Sequence, residues 1–368
     1  MLSLQDPWAH PDALRGRRVL LAMSGGVDSS AAATVLQSRG ARVTGLTMKN
    51  FCYSDAGAGA TSCCSVTHLH DARRVCDQLG IEHHVVDTSQ LFEPLVIDRF
   101  VAEYEAGRTP NPCVDCNRDV RFPELLRLAR LLDTELLATG HYARVGRDAS
   151  GAHFVRRAAY LPKDQSYFLH GITAECLSRT VFPLGDHDKE AARAAAREAQ
   201  LPVADKPESQ EVCFIPDGDR AGFLAARTQP RPGRIADLAG KTVGGHDGIG
   251  RFTVGQRRGL GLGGGHTWYV HHIEPATQTV VVADAAALRI QALEVDAFWL
   301  RVDAARDDIH VQVRYRHAAA PVACIEVAGA QARLRLAAPV SAVAPGQAAV
   351  LYVGDAVVGG GRIVATAA

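Results

Sequence analysis

Along the first half of the chain, compact apolar runs alternate with longer stretches in which apolar residues recur every three to four positions. RRVLLAM (17–23), ARVTGLTM (41–48), EHHVVDT (82–88) and ELLATGHYARV (135–145) predict strands. SSAAATVLQSRG (29–40), HDARRVCDQLG (70–80) and FPELLRLARLLD (122–133) predict helices, the first two closed by Gly40 and Gly80. This alternation implies an α/β domain, a parallel sheet with helices on both faces. Ligands of such sheets bind at the carboxyl ends of the strands, so the turn after RRVLLAM, Met48 and Gly140-His141 fall on one edge. The segment CYSDAGAGATSCCS (52–65) has no period and reads as a mobile loop.

The pattern changes further on. KEAARAAAREAQ (189–200) predicts an exposed, alanine-rich helix. Residues 231–273 are dense in glycine and basic side chains, with little helical period. After residue 288, short alternating runs such as HVQVRYR, ACIEVAG, QARLRLAAPV and QAAVLYVGDAVVGGGRI are separated by Gly, Pro and Asp turns. They predict a small C-terminal β-barrel. The expected division is 1–208 for the parallel-sheet domain, 209–284 for a small mixed central domain and 285–368 for the barrel.

Composition narrows the class. A chain of 368 residues with 47% hydrophobic and 22% charged residues suits a soluble globular protein of two or three domains. No run is long and apolar enough for a membrane span, and the first residues lack signal-peptide order, so a cytoplasmic location is expected. Lys+Arg and Asp+Glu are 40 each, so any surface that binds nucleic acid must be locally basic. Nine cysteines, an odd number, argue against a disulfide-stapled secreted fold.

The turn that ends RRVLLAM reads Ser24-Gly25-Gly26-Val27-Asp28-Ser29. The first N–H groups of the helix after it have no helical partner, and the helix dipole adds positive charge there. Glycines allow close approach, and Ser24, Ser29 and Ser30 add hydroxyls, which together make an anion site suited to phosphate. The stretch is neither a Walker A loop nor G-x-G-x-x-G. The plain alternative is an ordinary turn capped by Asp28 or Ser29. The whole string S-G-G-V-D-S resembles the pyrophosphate loop of the ATP pyrophosphatases, which split ATP to AMP and pyrophosphate.

GRTPNPCVDCNRDVRF (107–122) holds a stiff proline-flanked stretch and then Cys113 and Cys116 at C-x-x-C spacing. A helix start and the nearby Arg118 and Arg121 would favour thiolate at Cys116. A zinc half-site, completed by Cys63, Cys64 and His68, and a redox pair are the other readings. In PESQEVCFIPDGD (207–219), Cys213 stands alone among polar and turn residues. Two separated reactive cysteines in an ATP pyrophosphatase suggest sulfur transfer, one thiol carrying a persulfide and the other releasing it by exchange.

The ordered set SGGVDS (24–29), Met48, TPNPCVDCN (109–117), ATGHYAR (138–144), KDQSYFL (163–169), ESQEVCFI (208–215), FTVGQRRGLGLGG (252–264), VRYR (313–316) and PGQ (345–347) resembles the bacterial tRNA-specific 2-thiouridylases over nearly the whole length. That resemblance implies ATP with Mg2+, adenylation of the 2-carbonyl oxygen of the wobble uridine, and attack by a persulfide on Cys213, with Cys116 as the nucleophile that frees the sulfur and leaves a Cys116–Cys213 disulfide. It implies a nucleotide site at Ala22, Met23, Ser24, Gly25, Gly26, Val27, Asp28, Ser29, Met48 and Gly140, and target-base contacts from Asn111, Pro112 and Cys113. It implies tRNA contacts from His141, Lys163, Asp164, Gln165, Arg314, Tyr315, Arg316 and Gln347. The implied partners are the tRNAs for lysine, glutamate and glutamine and a persulfide donor, either a cysteine desulfurase or a relay protein.

Cys113 stands where many members have aspartate, and His68 where an acidic residue is expected. Three thiolates, Cys113, Cys116 and Cys213, leave open the same thiolation through an iron–sulfur cluster. Two further readings stay open: a pyrophosphatase acting on a small molecule, and a non-catalytic nucleic-acid-binding protein with a relic nucleotide loop.

Overall fold

A computed structural model describes residues 4–51, 66–207, 212–215, 218–263 and 265–367, so the expected loop at 52–65 lies outside the described residues. The chain forms two compact units. One comprises Met1–Val96, Cys113–Gly218 and Asp355–Val357; the other comprises Ile97–Pro112, Asp219–Gly354 and Val358–Ala368.

The first unit is built on a five-stranded sheet in the order β3-β2-β1-β4-β7. Its strands are β1 Arg18–Ala22, β2 Arg42–Lys49, β3 Glu82–Asp87, β4 Leu136–Thr139 and β7 Thr180–Val181, all paired in parallel. Helix α1 (Val27–Ser38) follows β1, and α2 (Val66–Leu79) precedes β3. Gly40 and Gly80 take φ of 74° and 63°, the left-handed backbone that ends a helix without a Cβ penalty. The strand order reverses direction between β1 and β4, and such a switch point opens a crevice at the strand ends.

The run ELLATGHYARV is not one strand. It breaks at Gly140–Tyr142 into β4 and β5 (Ala143–Arg147), which forms an antiparallel hairpin with β6 (His153–Arg157). The break serves the site described below. Helix α3 (Phe122–Leu131) precedes β4, and after β7 comes α4 (Lys189–Glu198). The expectation of an exposed α4 fails for a simple reason. Ala192 and Ala196 are fully buried in the same cluster as Ala31, Ala32, Ala33 and Leu36 of α1. Small residues on both helices let their backbones come close.

The second unit contains a four-stranded sheet in the order β10-β11-β8-β9, from β8 Gly233–Asp237, β9 Thr242–His246, β10 Tyr269–Glu274 and β11 Thr279–Ala283. The glycine-rich stretch therefore carries a core of its own. Ile249, Phe252 and Leu260 are buried with Ile235, Val270 and Val280. Six further strands close into a barrel: β12 Arg289–Leu300, β13 Ile309–Gln312, β14 Ala320–Ala328, β15 Gln331–Ser341, β16 Ala348–Val353 and β17 Ala356–Ala367, with β12 paired to both β15 and β17. Along β15 the burial alternates over Gln331–Leu336, the period of a strand with one face inward. Within HVQVRYR only the first residues are strand; Arg314–Arg316 form a turn.

Candidate nucleotide and thiol site

The loop between β1 and α1 is closed by its own hydroxyls. Ser24 N–H donates to Ser29 Oγ (3.1 Å), the Ser24 and Ser29 hydroxyls lie 3.1 Å apart, and both Ser29 and Ser30 donate to the Gly26 carbonyl. Ser30 is fully buried, so its hydroxyl holds the loop rather than a ligand. The two glycines differ. Gly25 has φ +70°, and a Cβ there would lie 2.1 Å from the His68 carbonyl oxygen of α2. Gly26 is the extended N-cap of α1, and a Cβ there would meet nothing closer than Ser24 Oγ at 3.5 Å. Gly25 is thus demanded by the fold, whereas Gly26 leaves open space. His68 itself is buried in α2.

A cavity of about 210 Å³ opens at the carboxyl ends of β1, β2 and β4. It is lined by Ala22, Met23, Ser24, Asp28, Ser29, Leu46, Thr47, Met48, Asn50, Arg121, Thr139, Gly140, His141 and Gln165. Gly140 is held there by contact: a Cβ would stand 2.8 Å from Asp28 C and Ser29 N at the start of α1. Gln165 Oε1 accepts from the Tyr142 N–H (2.9 Å), and Gln165 N–H donates to the Tyr142 carbonyl. His141 Nδ1 lies 2.7 Å from Thr139 Oγ1, and the ring stacks on Phe122 and sits edge-on to Phe182. Burial, and then the Arg121 guanidinium beside it, push its pKa down to about 3, so the imidazole is neutral.

Among the described residues, Asp28 is the one carboxylate lining this cavity. Its Oδ1 accepts from Tyr142 Oη (2.8 Å) and from Lys189 Nζ (2.6 Å). Lys189 opens α4, where a cation works against the helix dipole; the close alanine packing of α1 and α4 brings it to Asp28. Lys206 Nζ reaches the Gly25 carbonyl (3.3 Å) and Asp71 Oδ2 (2.7 Å).

The thiol segment is helical throughout: Pro112–Asp115, then a π-helical stretch Cys116–Arg121, then α3. Cys113 and Cys116 share a face by their i, i+3 spacing. Cys113 is exposed; the protein atoms packed around its thiol, and then Cys116, push it up to about 11. Cys116 is buried near the start of this helical run. The two expected arginines part company. Arg118 is bound by Asp115 (2.7 Å) and Asp119 (2.7 Å), so its charge is engaged by carboxylates. Arg121 Nη1 donates to Asn117 Oδ1 (3.0 Å), lies 3.4 Å from His141 Nε2 and lines the nucleotide cavity. Cys213 is half-buried in a turn anchored by Phe214, which packs edge-on against Phe92. No disulfide joins Cys116 and Cys213. Among the described residues no three His, Cys, Asp or Glu side chains converge as a metal site.

Three domain-family models match in sequence: the tRNA methyl transferase HUP domain over residues 17–217, the tRNA methyl transferase PRC-barrel domain over 221–284 and the aminomethyltransferase beta-barrel domain over 291–363. Relatives named tRNA-specific 2-thiouridylase MnmA are similar nearly end to end. That of Sorangium cellulosum is 46% identical over 357 residues, 95% of this chain and 92% of the relative. Those of Geobacter metallireducens (44%, 94% and 96%) and Carboxydothermus hydrogenoformans (41%, 96% and 99%) are close behind. The chain belongs to the tRNA-specific 2-thiouridylase family.

The remaining expected residues fall into two groups. Arg314 and Arg316 are exposed on their turn, Arg316 stacked 5.3 Å over the Tyr315 ring, and Lys163 is half-exposed. Asp164 is different: it is buried, and it accepts from Arg157, Ser166 and the Ala158 N–H. Gln347 is buried too, and its amide donates to the Thr109 (2.8 Å) and Pro110 (3.4 Å) carbonyls. Asn111 and Pro112 end the second unit's segment, and Cys113 begins the next stretch of the first. Sequence reasoning missed Tyr142, Lys189 and Lys206, which reach the loop from 114, 161 and 181 residues away. Tyr142 lies within the ATGHYAR run without a role that its sequence reveals, and no motif marks Lys189 or Lys206.

Proposed function

We propose that this chain thiolates the 2-position of the wobble uridine of tRNA at the expense of ATP. The observation that carries this reading is Arg121. It closes the thiol-bearing π-helical stretch and also lines the nucleotide cavity, which supports thiol chemistry beside the nucleotide. The relatives' name supports tRNA as substrate, those for lysine, glutamate and glutamine being expected by resemblance.

The cavity takes ATP, with phosphates at the α1 N-terminus and Ser24 and positive charge from Lys189 and Lys206. The uridine 2-oxygen attacks the α-phosphorus; the bond to the bridging oxygen breaks, and its electron pair leaves on pyrophosphate. Asp28 would hold magnesium, and the ion would offset phosphate charge. A persulfide on Cys213 then attacks C2 through its outer sulfur, and AMP leaves. The Cys116 thiolate attacks the inner sulfur of Cys213, which breaks the S–S bond and leaves sulfur on the base. The resulting Cys116–Cys213 disulfide needs two electrons from an external thiol reductant. The sulfur reaches Cys213 from a persulfide donor, a cysteine desulfurase or relay protein.

Asn111, Pro112 and Cys113 face the base, which must be unstacked to react. Lys163, Arg314 and Arg316 meet phosphates, and Tyr315 stacks. His141, neutral beside Gly140, borders both nucleotide and base. We take 1–208, 209–284 and 285–368 as catalytic, central and barrel domains, working in the cytoplasm where tRNA is. No described helix is long and apolar enough to cross a membrane.

The test is pyrophosphate release with and without tRNA, followed by mass analysis of the wobble uridine. Release that depends on tRNA, with sulfur replacing oxygen, is expected. A small-molecule enzyme would be indifferent to tRNA. The methyl-transfer wording of two matched models has its own outcome, an added methyl group without ATP cleavage.

A further inference from the structure

The loop between β1 and α1 contains one peptide that its own neighbours do not orient. Gly26–Val27 is fixed locally: its carbonyl accepts from Ser29 Oγ (3.1 Å), Ser30 Oγ (2.9 Å) and Ser30 N–H (3.3 Å). Gly25–Gly26 has no such holder within the loop. It joins two glycines, and a glycine pair lets a peptide turn over at little steric cost. Which way it turns matters, because carbonyl and N–H point in opposite directions from a trans peptide.

The holder lies 181 residues away in sequence. Lys206 Nζ donates to the Gly25 carbonyl at 3.3 Å and to Asp71 Oδ2 at 2.7 Å. Asp71 stands one turn along α2 from His68, whose carbonyl oxygen would lie 2.1 Å from a Gly25 Cβ. Helix α2 thus both walls in the glycine and fastens the lysine. The backbone at the lysine is fastened in turn by Arg193 of α4, whose Nη1 and Nη2 donate to the Ala204 (3.1 Å) and Lys206 (3.3 Å) carbonyls. With the Gly25 carbonyl committed to Lys206, the Gly26 N–H faces the other way. Among the described residues it meets no acceptor, and the adjoining start of α1 has no side-chain cap. A phosphate takes up donors left open in this way.

We infer that Lys206 is a positioning residue for the nucleotide: it sets the Gly25–Gly26 peptide so that the Gly26 N–H is offered to a phosphate, over and above the charge it adds. The inference rests on the reading of this loop as the ATP site. Charge alone and peptide placement give opposite signs at Asp71. Removing that carboxylate frees the ammonium for phosphate, which strengthens a purely coulombic contact. It also unfastens Lys206 from the Gly25 carbonyl, which weakens binding that runs through the peptide.

The probe is α,β-methylene-ATP, which cannot be split between its α- and β-phosphates, titrated into the full chain without tRNA and compared with adenosine. Lys206→Met and Asp71→Ala should each weaken the analogue by about tenfold or more and leave adenosine binding as in the parent. Unchanged or tighter analogue binding by Asp71→Ala, or an equal loss of adenosine, would overturn the inference. Should the variants fail to fold, hydrogen exchange of the parent chain still answers. The Gly26 amide must exchange freely without ligand and become protected when the analogue binds; a Gly26 amide that stays unprotected overturns the role of Lys206. If the parent binds the analogue as stated but releases no pyrophosphate with tRNA, the thiolation reading falls and the role of Lys206 stands.

Discussion

The β1–α1 loop and the Arg314–Arg316 turn, each proposed above to meet a polyanion, are built in opposite ways. In the loop, polar groups are bonded before any ligand arrives. Ser29 and Ser30 hold Gly26, Lys189 and Tyr142 hold Asp28, and Lys206 holds Gly25. At the turn, two arginines stand exposed, one stacked only on its own neighbour. The first arrangement fixes geometry, which suits a bond-breaking site where misplacement costs rate. The second offers charge without fixing geometry, which suits a phosphate backbone whose contacts position but do not specify.

The largest effect should come from the thiols that the loop serves. Cys213→Ser should still release pyrophosphate with tRNA yet give no thiolated product, because no persulfide can form; Cys116→Ser should likewise give none. Normal sulfur incorporation by Cys213→Ser would sink the persulfide scheme. Next come the paired glycines. Gly25→Ala forces a side chain onto left-handed backbone and into a carbonyl, at about 2–4 kcal/mol, and should abolish nucleotide binding and lower the melting temperature. Gly26→Ala should melt as the parent does and weaken ATP binding by about tenfold, since it fills ligand space alone. Equal melting losses in the two variants would show that both glycines serve the fold.

A pH series sharpens the picture of the loop. His141 and His170 are held at about 3 and about 4 by burial, while an unfolded histidine protonates near 6.5. Their neutral burial is therefore fully compatible with the fold above about 6.5, and stability is lost as pH falls below that toward 4. Each contributes roughly 1.4 kcal/mol per pH unit in that window. Denaturant midpoints at pH 7.5 and 5.5 should converge for His141→Gln relative to the parent; parallel losses would mean the histidine titrates normally. The smallest effect belongs to the turn. Arg314→Ala or Arg316→Ala should weaken tRNA binding a few-fold at low salt and reduce the slope of log affinity against log salt by about 1. An unchanged slope would remove that side chain from the phosphate contacts.

The loop was legible because its chemistry is local. Strand, glycine turn and helix start lie within Arg18–Ser38, and Gly40 and Gly80 announced their helix ends. What the sequence did not disclose was set by tertiary packing. Alanines read as an exposed face on α4 because nothing local shows that α1 offers matching alanines. Gly140 hid inside an apolar run, although its close approach to α1 is what breaks the strand. Asp164 and Gln347, which the resemblance implies as tRNA contacts, have buried side chains whose internal partners no local pattern shows. The glycine-rich stretch showed no sign of its own core because Ile249, Phe252 and Leu260 have no period that reveals one.

The bond between Gln347 and Pro110 spans 237 residues of chain. At a synthesis rate of about 5–20 residues per second, the carbonyls of Thr109 and Pro110 wait roughly 10–50 seconds on the ribosome for their partner. The nucleotide loop needs no such wait for its serine bonds, which close within a few residues. A growing chain can thus shape its phosphate cradle long before the stretch leading to Cys113 is held in place. Order of birth keeps the reactive end of the site unfinished until the last strands have emerged.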